Sequence, residues 1–261
     1  MKLKVMTFNL RMDTESDGLN YFPNREPRIL ETIQNEKPDL IGFQEATDYI
    51  RAFLKNNLSD TYTVLGCGRE KNYRGEACCI AFRKDCFDLI SYDTHFLSTT
   101  PTLPATRYVG SDQSHCPRLY VHAELSHTEL AKPLHFFNTH LDHKGAQAQF
   151  LGMTQILQHV SGLDGQFVLT GDMNAKPESA CIALPCAMKN REVKDVTANV
   201  PYTFHNFGRL VGEEQWKIDY IFTDADPIEA YAIEDESVDG LYISDHYPVC
   251  AYIDFEEVEK N

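Results

Sequence analysis

The chain has 261 residues, of which 43% are hydrophobic and 11% aromatic, so it can bury a substantial core. Its net charge of −15 argues against tight binding of duplex DNA, because affinity for a phosphate backbone depends on Lys and Arg. The eight cysteines form no C-x-x-C pair, which disfavours a zinc or disulfide framework and predicts free thiols in a reducing, cytoplasmic location.

The pattern of apolar and polar residues predicts helices and strands that alternate early and strands that follow one another later. In chain order the predicted elements are a strand at 2–9, a helix at 24–36 with Asn24 as N-cap, a strand at 39–44, a helix at 47–57, strands at 61–66, 76–82 and 87–97, a loop at 98–117, strands at 118–125 and 134–140, a helix at 144–160, a strand at 166–170, a helix at 177–188, a loop through 199–215, and strands at 216–222, 228–233 and 248–254. The acidic end at 256–259 is expected to fray.

This order is neither a pure βαβ series nor an all-β pattern. It favours two sheets packed face to face, with helices outside. No Pro/Gly/Ser-rich linker interrupts the chain, so we expect a single domain spanning 1–261. No apolar stretch approaches the ~20 residues of a membrane span, and the first residues lead directly into a strand rather than a secretory signal.

Polar residues follow several predicted strands at the point where each strand ends. Asp172 and Asn174 come directly after the apolar run at 166–170, and side chains two residues apart on a strand face the same way. Alone, this pair is equally typical of a turn, but the pattern recurs along the chain. The other strand-end residues are Asn9, Glu45 and His140, with His143 close behind. Asp219 lies inside the apolar run at 216–222, and Asp245 with His246 closes the series. Such a concentration predicts a catalytic cleft at one edge of an α/β sheet.

Six segments, in this order, resemble the motifs of the endonuclease/exonuclease/phosphatase superfamily. They are Thr7-Phe8-Asn9, Gly42-Phe43-Gln44-Glu45, Asn138-Thr139-His140-Leu141, Gly171-Asp172-Met173-Asn174, Ile218-Asp219-Tyr220-Ile221 and Ser244-Asp245-His246-Tyr247-Pro248. That superfamily includes deoxyribonuclease I, apurinic endonucleases, inositol polyphosphate 5-phosphatases, neutral sphingomyelinases and poly(A)-specific deadenylases. The resemblance implies an α/β four-layer sandwich, in which two central mixed β-sheets are flanked by helices as in deoxyribonuclease I.

Other segments look closest to an uncharacterised, mostly bacterial branch near the deadenylases. They are Gly66…Gly68-Arg69, Gly75-Glu76, Phe96-Leu97-Ser98…Pro101, Pro117-Arg118 and Thr203-Phe204-His205. One departure concerns Arg11, which stands where apurinic endonucleases carry an acidic residue. It argues against cleavage at abasic sites.

The resemblance implies a divalent metal ion, Mg²⁺ or Mn²⁺, as cofactor. Glu45 is the first predicted ligand, because hard cations prefer carboxylate oxygen. Asn9 would hold the ion's water shell or a phosphate oxygen, and Asp245 would complete the metal shell. The plainer alternatives are a helix-capping role for Glu45 and a turn role for Asn9.

Five residues carry the predicted chemistry. Asp172 would orient and deprotonate the attacking water, and Asn174 would fix that geometry and contact the phosphate. His246 would contact the phosphoryl oxygens, with Asp219 setting its tautomer and charge through a hydrogen bond. His140 would stabilise transition-state charge or protonate the leaving oxygen across the cleft.

Substrate binding is assigned to Arg118, His205 and Asn9. A guanidinium matches a phosphate bidentately, which makes Arg118 the preferred clamp. The same argument names Arg11, Arg25 and Arg107, for which a surface or loop position is the alternative. His205 and Phe204 would line the pocket or belong to an ordinary strand. For His143, a supporting role in the site and a position on the surface are equally expected.

These residues predict a metal-dependent phosphoester hydrolase in which water attacks a phosphomonoester or phosphodiester in line. A 3′-exonuclease acting on single-stranded RNA or DNA is the alternative activity. A catalytically dead binding or scaffold protein of the same fold is the rival from another class. The expected partner is therefore a phosphorylated small molecule or a single-stranded nucleic acid, with no membrane and no obligate protein partner inferred.

Overall fold

The computed structural model describes residues 1–234 and 237–258. The strands are β1 (Lys2–Asn9), β2 (Leu40–Ala46), β3 (Tyr62–Gly68), β4 (Ala77–Arg83), β5 (Asp88–Phe96), β6 (Leu119–Ser126), β7 (Leu134–His140), β8 (Phe167–Asp172), β9 (Lys194–Asp195), β10 (Asp219–Thr223), β11 (Asp226–Ala232) and β12 (Val249–Asp254). The α-helices are α1 (Phe22–Glu36), α2 (Asp48–Leu58), α3 (Ala146–Ser161) and α4 (Ala180–Cys186). Short 3₁₀ helices span Glu15–Asn20, Lys71–Tyr73 and Gly212–Glu214.

The strands form two six-stranded sheets with related topology. The first has the order β11-β12-β1-β2-β4-β3, and the second has the order β5-β6-β7-β8-β10-β9. Each sheet has one parallel pair at its centre, β1 with β2 and β7 with β8, and its other pairs are antiparallel. Both sheets are therefore mixed, as predicted.

Alternation along the strands divides the apolar side chains among three layers of core. In β1, Leu3 and Val5 point into the space between the sheets, whereas Met6 and Phe8 point outward to the cluster that includes α1 and α2. A third cluster buries the outer face of the second sheet against α3 and α4. Burial of one Leu, Ile or Phe side chain contributes about 1.5–3 kcal/mol, so this pattern fixes the order helix, sheet, sheet, helix. The predicted four-layer sandwich is confirmed.

The inner face of the second sheet changes from apolar to polar along β7 and β8. Phe136 and Val168 lie in the core between the sheets. The polar residues His140 and Asp172 lie on the same faces of these strands, at their ends. Because β7 and β8 are parallel, with His140 paired to Asp172, both polar ends lie at the same edge. The fold therefore concentrates polar side chains at one end of the space between the sheets.

A buried polar layer separates that end from the apolar core. Gln44 donates to Asn138 Oδ1 at 2.7 Å, and Thr170 Oγ1 donates to the same oxygen at 3.1 Å. The Asn138 amide donates to two backbone carbonyls of the first sheet. Gly42 makes this approach possible, because a Cβ there would lie 2.0 Å from Thr170 Oγ1. The two sheets are thus locked together directly behind the site.

Several element boundaries differ from the predicted ones. The first helix begins at Phe22 with Tyr21 as N-cap, not Asn24, because Pro23 supplies a fixed φ in the first turn. The helix predicted at 177–188 is the shorter α4, and the strand predicted at 216–222 begins at Asp219. The two-residue β9 and the 3₁₀ helices were not predicted, because such short elements carry no periodic signal.

The acidic end is attached to the fold rather than frayed. The backbone N–H of Glu256 donates to Gln166 Oε1 at 2.7 Å, and that of Val258 donates to the Glu129 carbonyl at 2.8 Å. The prediction of a frayed end is therefore wrong as far as Val258, and Glu259 lies outside the described residues. Within the described chain, no helix is long and apolar enough to cross a membrane.

A group of imidazoles lies between the second sheet and α3. His122 Nε2 is 3.1 Å from His135 Nδ1, and the His122 ring stacks on Phe137 with centroids 4.4 Å apart. His159 of α3 packs edge-on against His122. Burial, followed by repulsion from the neighbouring imidazoles, lowers the pKa of His122 to about 3. This ring is therefore neutral in the folded protein at any moderately acidic pH.

Acid should destabilise the fold through His122. An unfolded His has a pKa of about 6.5, so below that pH the unfolded chain binds a proton that the folded chain refuses. The loss grows as pH falls toward 3 and amounts to about 2 kcal/mol at pH 5. We expect His122→Phe to flatten the dependence of unfolding free energy on pH between 7 and 5, measured by urea denaturation. His115→Gln, at an exposed position, is the control, and equal slopes in both variants would contradict the assignment.

Candidate active site

Asp172 lies at the centre of the polar end, with hydrogen-bonding groups from both sheets around it. Its Oδ2 accepts from Asn9 Nδ2 at 2.9 Å, lies 3.4 Å from His140 Nε2 and lies 3.9 Å from His246 Nε2. Its Oδ1 accepts from the backbone N–H of Asn174 at 2.8 Å. Asp172 is 2% exposed, so the carboxylate is held by the protein rather than by bulk water.

Strand register brings Asp172, His140 and Asp219 together. Asp172 ends β8 and pairs with His140 at the end of parallel β7 and with Asp219 at the start of antiparallel β10. Asn174 follows with a φ of +48°, a left-handed turn that Asn tolerates better than most residues. Its side-chain amide donates to the Leu141 carbonyl at 3.1 Å, so it secures the turn that carries Asp172.

His246 forms a buried ion pair with Asp219. His246 Nδ1 lies 2.8 Å from Asp219 Oδ2, and both side chains are nearly inaccessible to solvent. Burial opposes a charged imidazole, but the Asp219 carboxylate outweighs it, and the carboxylates of Asp172 and Asp245 add to the effect. The pKa of His246 is therefore raised to about 10, and the ring carries a positive charge at neutral pH.

Burial and charge separate the protonation states of the other groups. Burial, followed by the neighbouring Asp219 carboxylate, raises the pKa of Asp172 to about 7. Burial and the guanidinium groups of Arg118 and Arg69 lower the pKa of His140 well below its ordinary value. The site thus combines a weakly basic carboxylate, a protonated imidazole and a neutral imidazole. Such separation is typical of acid–base chemistry.

Glu45 is presented by a backbone distortion at the end of β2. The β2–β4 register shifts between Phe43 and Ala46, and Glu45 has a φ of +58°. Its Oε2 accepts from the Met12 N–H at 2.9 Å and its Oε1 from Asn9 Nδ2 at 3.2 Å. The bulge therefore turns Glu45 into the site instead of into the sheet.

A second carboxylate, Glu76, lies beside Glu45. Glu45, Glu76 and His140 offer ligand atoms that all lie within 4.8 Å of one another. Burial and the Glu45 carboxylate raise the pKa of Glu76, which also forms an ion pair with Arg69. A separate group of this kind consists of Asp172, Asp219 and His246. The first group could hold a metal ion, whereas in the second the protonated imidazole of His246 has no lone pair to offer.

The strand-end prediction missed Glu76, because it considered only residues that follow a strand. It missed Arg69, which follows β3, because the predicted strand ended at residue 66. Glu76 precedes β4, which runs antiparallel to β2, and Ala77 pairs with Ala46. The start of β4 therefore lies at the same edge as the end of β2. Arg118 likewise precedes β6, the antiparallel partner of β7. The sequence signal that could have identified Glu76 is a polar residue just before a strand that pairs antiparallel with its neighbour.

These side chains line a cavity of about 420 Å³. Its other wall contains Phe204, Phe207, Arg209 and Trp216. The Trp216 ring is 43% exposed, and Lys176 Nζ lies 4.9 Å from its centroid. A larger cavity, of about 520 Å³, opens near the starts of β7 and β8, at the other end of the sheet. It contains the Arg191–Asp224 ion pair and none of the predicted site residues.

A family model described as the Endonuclease/Exonuclease/phosphatase family matches residues 6–246. The chain belongs to this family. Members of the endonuclease/exonuclease/phosphatase family are hydrolases that act on phosphoesters.

Solved structures of three bacterial proteins resemble this family member over its whole length. An endonuclease/exonuclease/phosphatase from Bacteroides vulgatus is 27% identical, with a TM-score of 0.89, and the match covers 98% of this chain and 100% of that one. A functionally unknown conserved protein from Enterococcus faecalis V583 is 28% identical, with a TM-score of 0.87 and coverage of 97% and 100%. The Bacteroides thetaiotaomicron VPI-5482 mannosyl-6-phosphatase Bt3783 shares the fold, at 24% identity, a TM-score of 0.85 and coverage of 97% and 100%.

In this family member the structure brings most of the predicted site residues to the one cavity. Those that line it are Glu45, Arg118, His140, His143, Asp172, Asn174, Asp245 and His246. Asn9 and Asp219 lie immediately behind them, in contact with Asp172 and His246 respectively. Arg11 also lines the cavity, paired with Asp17 at 2.9 Å.

Other predicted residues have structural positions. His205 is fully buried behind Phe204, where its ring stacks on Tyr247 with centroids 4.1 Å apart, so the prediction that it lines the pocket is wrong. Arg25 is also fully buried and donates only to backbone carbonyls in the described contacts, so it is not a phosphate clamp. Arg107 donates to the Ser114 carbonyl and is not a lining residue.

Proposed function

We propose that the protein is a divalent-metal-dependent phosphoester hydrolase in which water attacks phosphorus in line. The observation that carries the proposal is the placement of Asp172 between Asn9, His140 and the Asp219-bound His246. A carboxylate next to a protonated and a neutral imidazole supplies proton acceptance and charge stabilisation in one cavity. Phosphoryl transfer needs mainly positioning and electrostatic stabilisation, which this arrangement supports.

The residues around Glu45 fit a hard divalent cation. Glu45 and Glu76 are partly buried carboxylates that lie close together and repel each other, and a cation between them would reduce that repulsion. Glu45 would hold Mg²⁺ or Mn²⁺, with Asn9 and Asp245 as further oxygen ligands and Glu76 and His140 beside them. When bound, the ion would neutralise phosphoryl charge and make a water molecule more acidic.

The chain's own residues would divide the remaining work. Asp172, with its pKa near neutrality, accepts the proton of the attacking water, and the Asn174 N–H holds its carboxylate in place. His246 donates a charged hydrogen bond to the phosphoryl oxygens, while Asp219 keeps it protonated. His140 is neutral and lies on the opposite side of Asp172, from where it would donate a hydrogen bond to a phosphoryl oxygen.

A 3′-exonuclease is the second candidate, and it is favoured by one feature of the cavity wall. The exposed Trp216 ring, with Lys176 above it and Phe204 at 5.6 Å, has the form of a base-stacking platform. The net charge of −15 counts against extended contact with a nucleic acid. We therefore rank this activity second, and a dead scaffold third, since the catalytic residues are present.

Hydrolysis of a substrate panel tests the proposal. The panel contains bis-p-nitrophenyl phosphate, p-nitrophenyl phosphate, phosphorylated sugars and inositols, labelled poly(A) and single-stranded DNA, each with Mg²⁺, Mn²⁺ or EDTA. We expect turnover with metal and none with EDTA. Glu45→Gln removes a carboxylate ligand and should raise the metal concentration for half-maximal activity by about 10–100-fold. Activity that survives EDTA would reject metal dependence, and an unchanged metal requirement in Glu45→Gln would reject Glu45 as a ligand.

The same panel separates the rivals. Cleavage of poly(A) or single-stranded DNA with binding that weakens steeply with salt would favour the exonuclease. Absence of turnover across the panel with either metal would favour the scaffold. Preference for a small phosphoester with little salt dependence supports the first proposal.

A further inference from the structure

Arg118 has two buried donor atoms that the described residues leave without a partner. The side chain is 4% exposed, and its Nη2 donates to His143 Nδ1 at 3.1 Å. Neither Nε nor Nη1 has a hydrogen-bond partner in the described part of the chain. A buried guanidinium N–H without an acceptor is costly, so this arrangement is adapted to an acceptor that arrives with a ligand.

The guanidinium of Arg69 acts on that of Arg118, and the carboxylates that act on Arg118, those of Glu76, Asp142 and Asp172, already accept hydrogen bonds from other residues. Arg69 lies beside Arg118 and forms an ion pair with Glu76, so that carboxylate is already engaged. His143 accepts the Arg118 hydrogen bond through Nδ1 and cannot offset its charge. The missing acceptor is therefore an anion.

Arg118, which carries the unpartnered donors, lines the reaction site. Arg69, Glu76, Arg118 and His140 enclose a small cavity, and the same four side chains line the larger cavity that contains Asp172 and His246. A group bound at Arg118 would thus lie beside His140, on the side of the site away from the His246–Asp219 pair. That position lies within the cavity of Asp172 and His246 rather than on a distant surface.

The number of donors distinguishes two substrate classes. A phosphodiester has two non-ester oxygens and one negative charge, whereas a phosphomonoester has three such oxygens and nearly two charges at neutral pH. In the proposed function, His246, His140 and a bound metal ion would serve two of these oxygens. A diester would place an uncharged alkoxy group against the free Arg118 donors and leave them unpaired.

We propose that Arg118 binds the third non-ester oxygen of a dianionic phosphate, so that the substrates are phosphomonoesters rather than phosphodiesters. This rests on the proposed hydrolase function. In the reaction an oxygen–phosphorus bond forms from water and the bond to the leaving alcohol breaks. The water proton passes to Asp172, the alcohol oxygen takes up a proton, and the products are the alcohol and inorganic phosphate.

The test compares p-nitrophenyl phosphate with methyl p-nitrophenyl phosphate. The two esters share the same leaving group, and the second carries a methyl group on an oxygen that is a non-ester oxygen in the first. For the native protein with Mg²⁺ we expect kcat/KM to favour the monoester by about 10²–10⁴-fold. Arg118→Gln should lower kcat/KM for the monoester by about 10²-fold and leave the diester almost unchanged. Arg118→Lys keeps the positive charge but loses the paired N–H donors of the guanidinium. Its kcat/KM for the monoester should lie between the values of the native protein and Arg118→Gln.

The control is Arg74→Gln, an arginine that is 73% exposed and lies outside the cavity, and its preference should match that of the native protein. A native preference for the diester, or an unchanged preference in a folded Arg118→Gln or Arg118→Lys variant, would overturn the proposal. Thermal melting establishes which variants fold.

Binding of inorganic phosphate, measured by calorimetry, separates this proposal from the hydrolase function. We expect phosphate to bind at least about 10-fold more weakly to Arg118→Gln, and dimethyl phosphate to show no difference. If neither ester is turned over but phosphate binding depends on Arg118, the dianion site stands and the hydrolase function fails. Phosphate binding that is independent of Arg118 overturns the site itself.

Discussion

Asp172→Asn is expected to lower kcat by about 10³–10⁴-fold with little change in KM. The substitution keeps the shape of the side chain, so one oxygen can still accept from the Asn174 N–H at the turn. It removes the atom that accepts the proton of water. Substrate binding depends mainly on other groups, so the loss should fall on the chemical step.

The same substitution should leave the protein as stable as before, or more stable. Burial and the Asp219 carboxylate both disfavour the ionised Asp172, which is why its pKa is raised. Asparagine carries no charge to be disfavoured, so the melting temperature at pH 8 should not fall. Loss of activity without loss of stability is the pattern of a residue selected for chemistry.

Asp164→Asn is the control, because Asp164 is an exposed carboxylate paired only with Lys132 in the described contacts. Its kinetic constants should equal those of the native protein. Asp172 would lose its proposed role if Asp172→Asn retained more than about a tenth of the native kcat.

The sequence predicted the layers of the fold well, because burial makes a periodic signal. In β1 and β8 the apolar side chains alternate or run continuously, and a shift of one residue would turn Val168 and Asp172 to the wrong face. The polar residues that interrupt these patterns were recognisable for the same reason. Each stands at the end of a strand whose preceding residues are buried.

Other parts of the site depend on three-dimensional pairing that periodicity does not encode. Glu76 became recognisable only when β4 was known to run antiparallel to β2, which puts the start of one strand beside the end of the other. Arg25 and His205 are polar residues that the sequence offered as substrate-binding candidates, yet the fold buries both. Arg25 instead links the backbone around Leu10 and Ile243, a contact between segments far apart in sequence.

The pairing of Asp219 with His246 was predicted from chemistry, because a buried carboxylate requires a partner. The distance of 2.8 Å agrees with that argument. The role of the pair in catalysis is a separate matter, and a double-mutant cycle tests it.

His246→Ala is expected to lower kcat/KM by about 10³-fold, since it removes a charged donor to the phosphoryl oxygens. Asp219→Asn should cost about 10²–10³-fold, because burial then lowers the pKa of His246 and the ring becomes neutral. If Asp219 acts only through His246, the double variant should be no worse than His246→Ala alone. Additive losses would mean that Asp219 acts on the substrate or the fold independently.

The pH profile distinguishes this role from simple support of the structure. With Asp219 present, His246 stays protonated until pH rises through its pKa of about 10, so activity should persist into alkaline solution. In Asp219→Asn the alkaline limb should move to lower pH, because the raised pKa is lost. The control Asp226→Asn, an exposed carboxylate paired with Lys194, should keep the native profile. A uniform loss of activity at every pH would show that Asp219 only supports the fold.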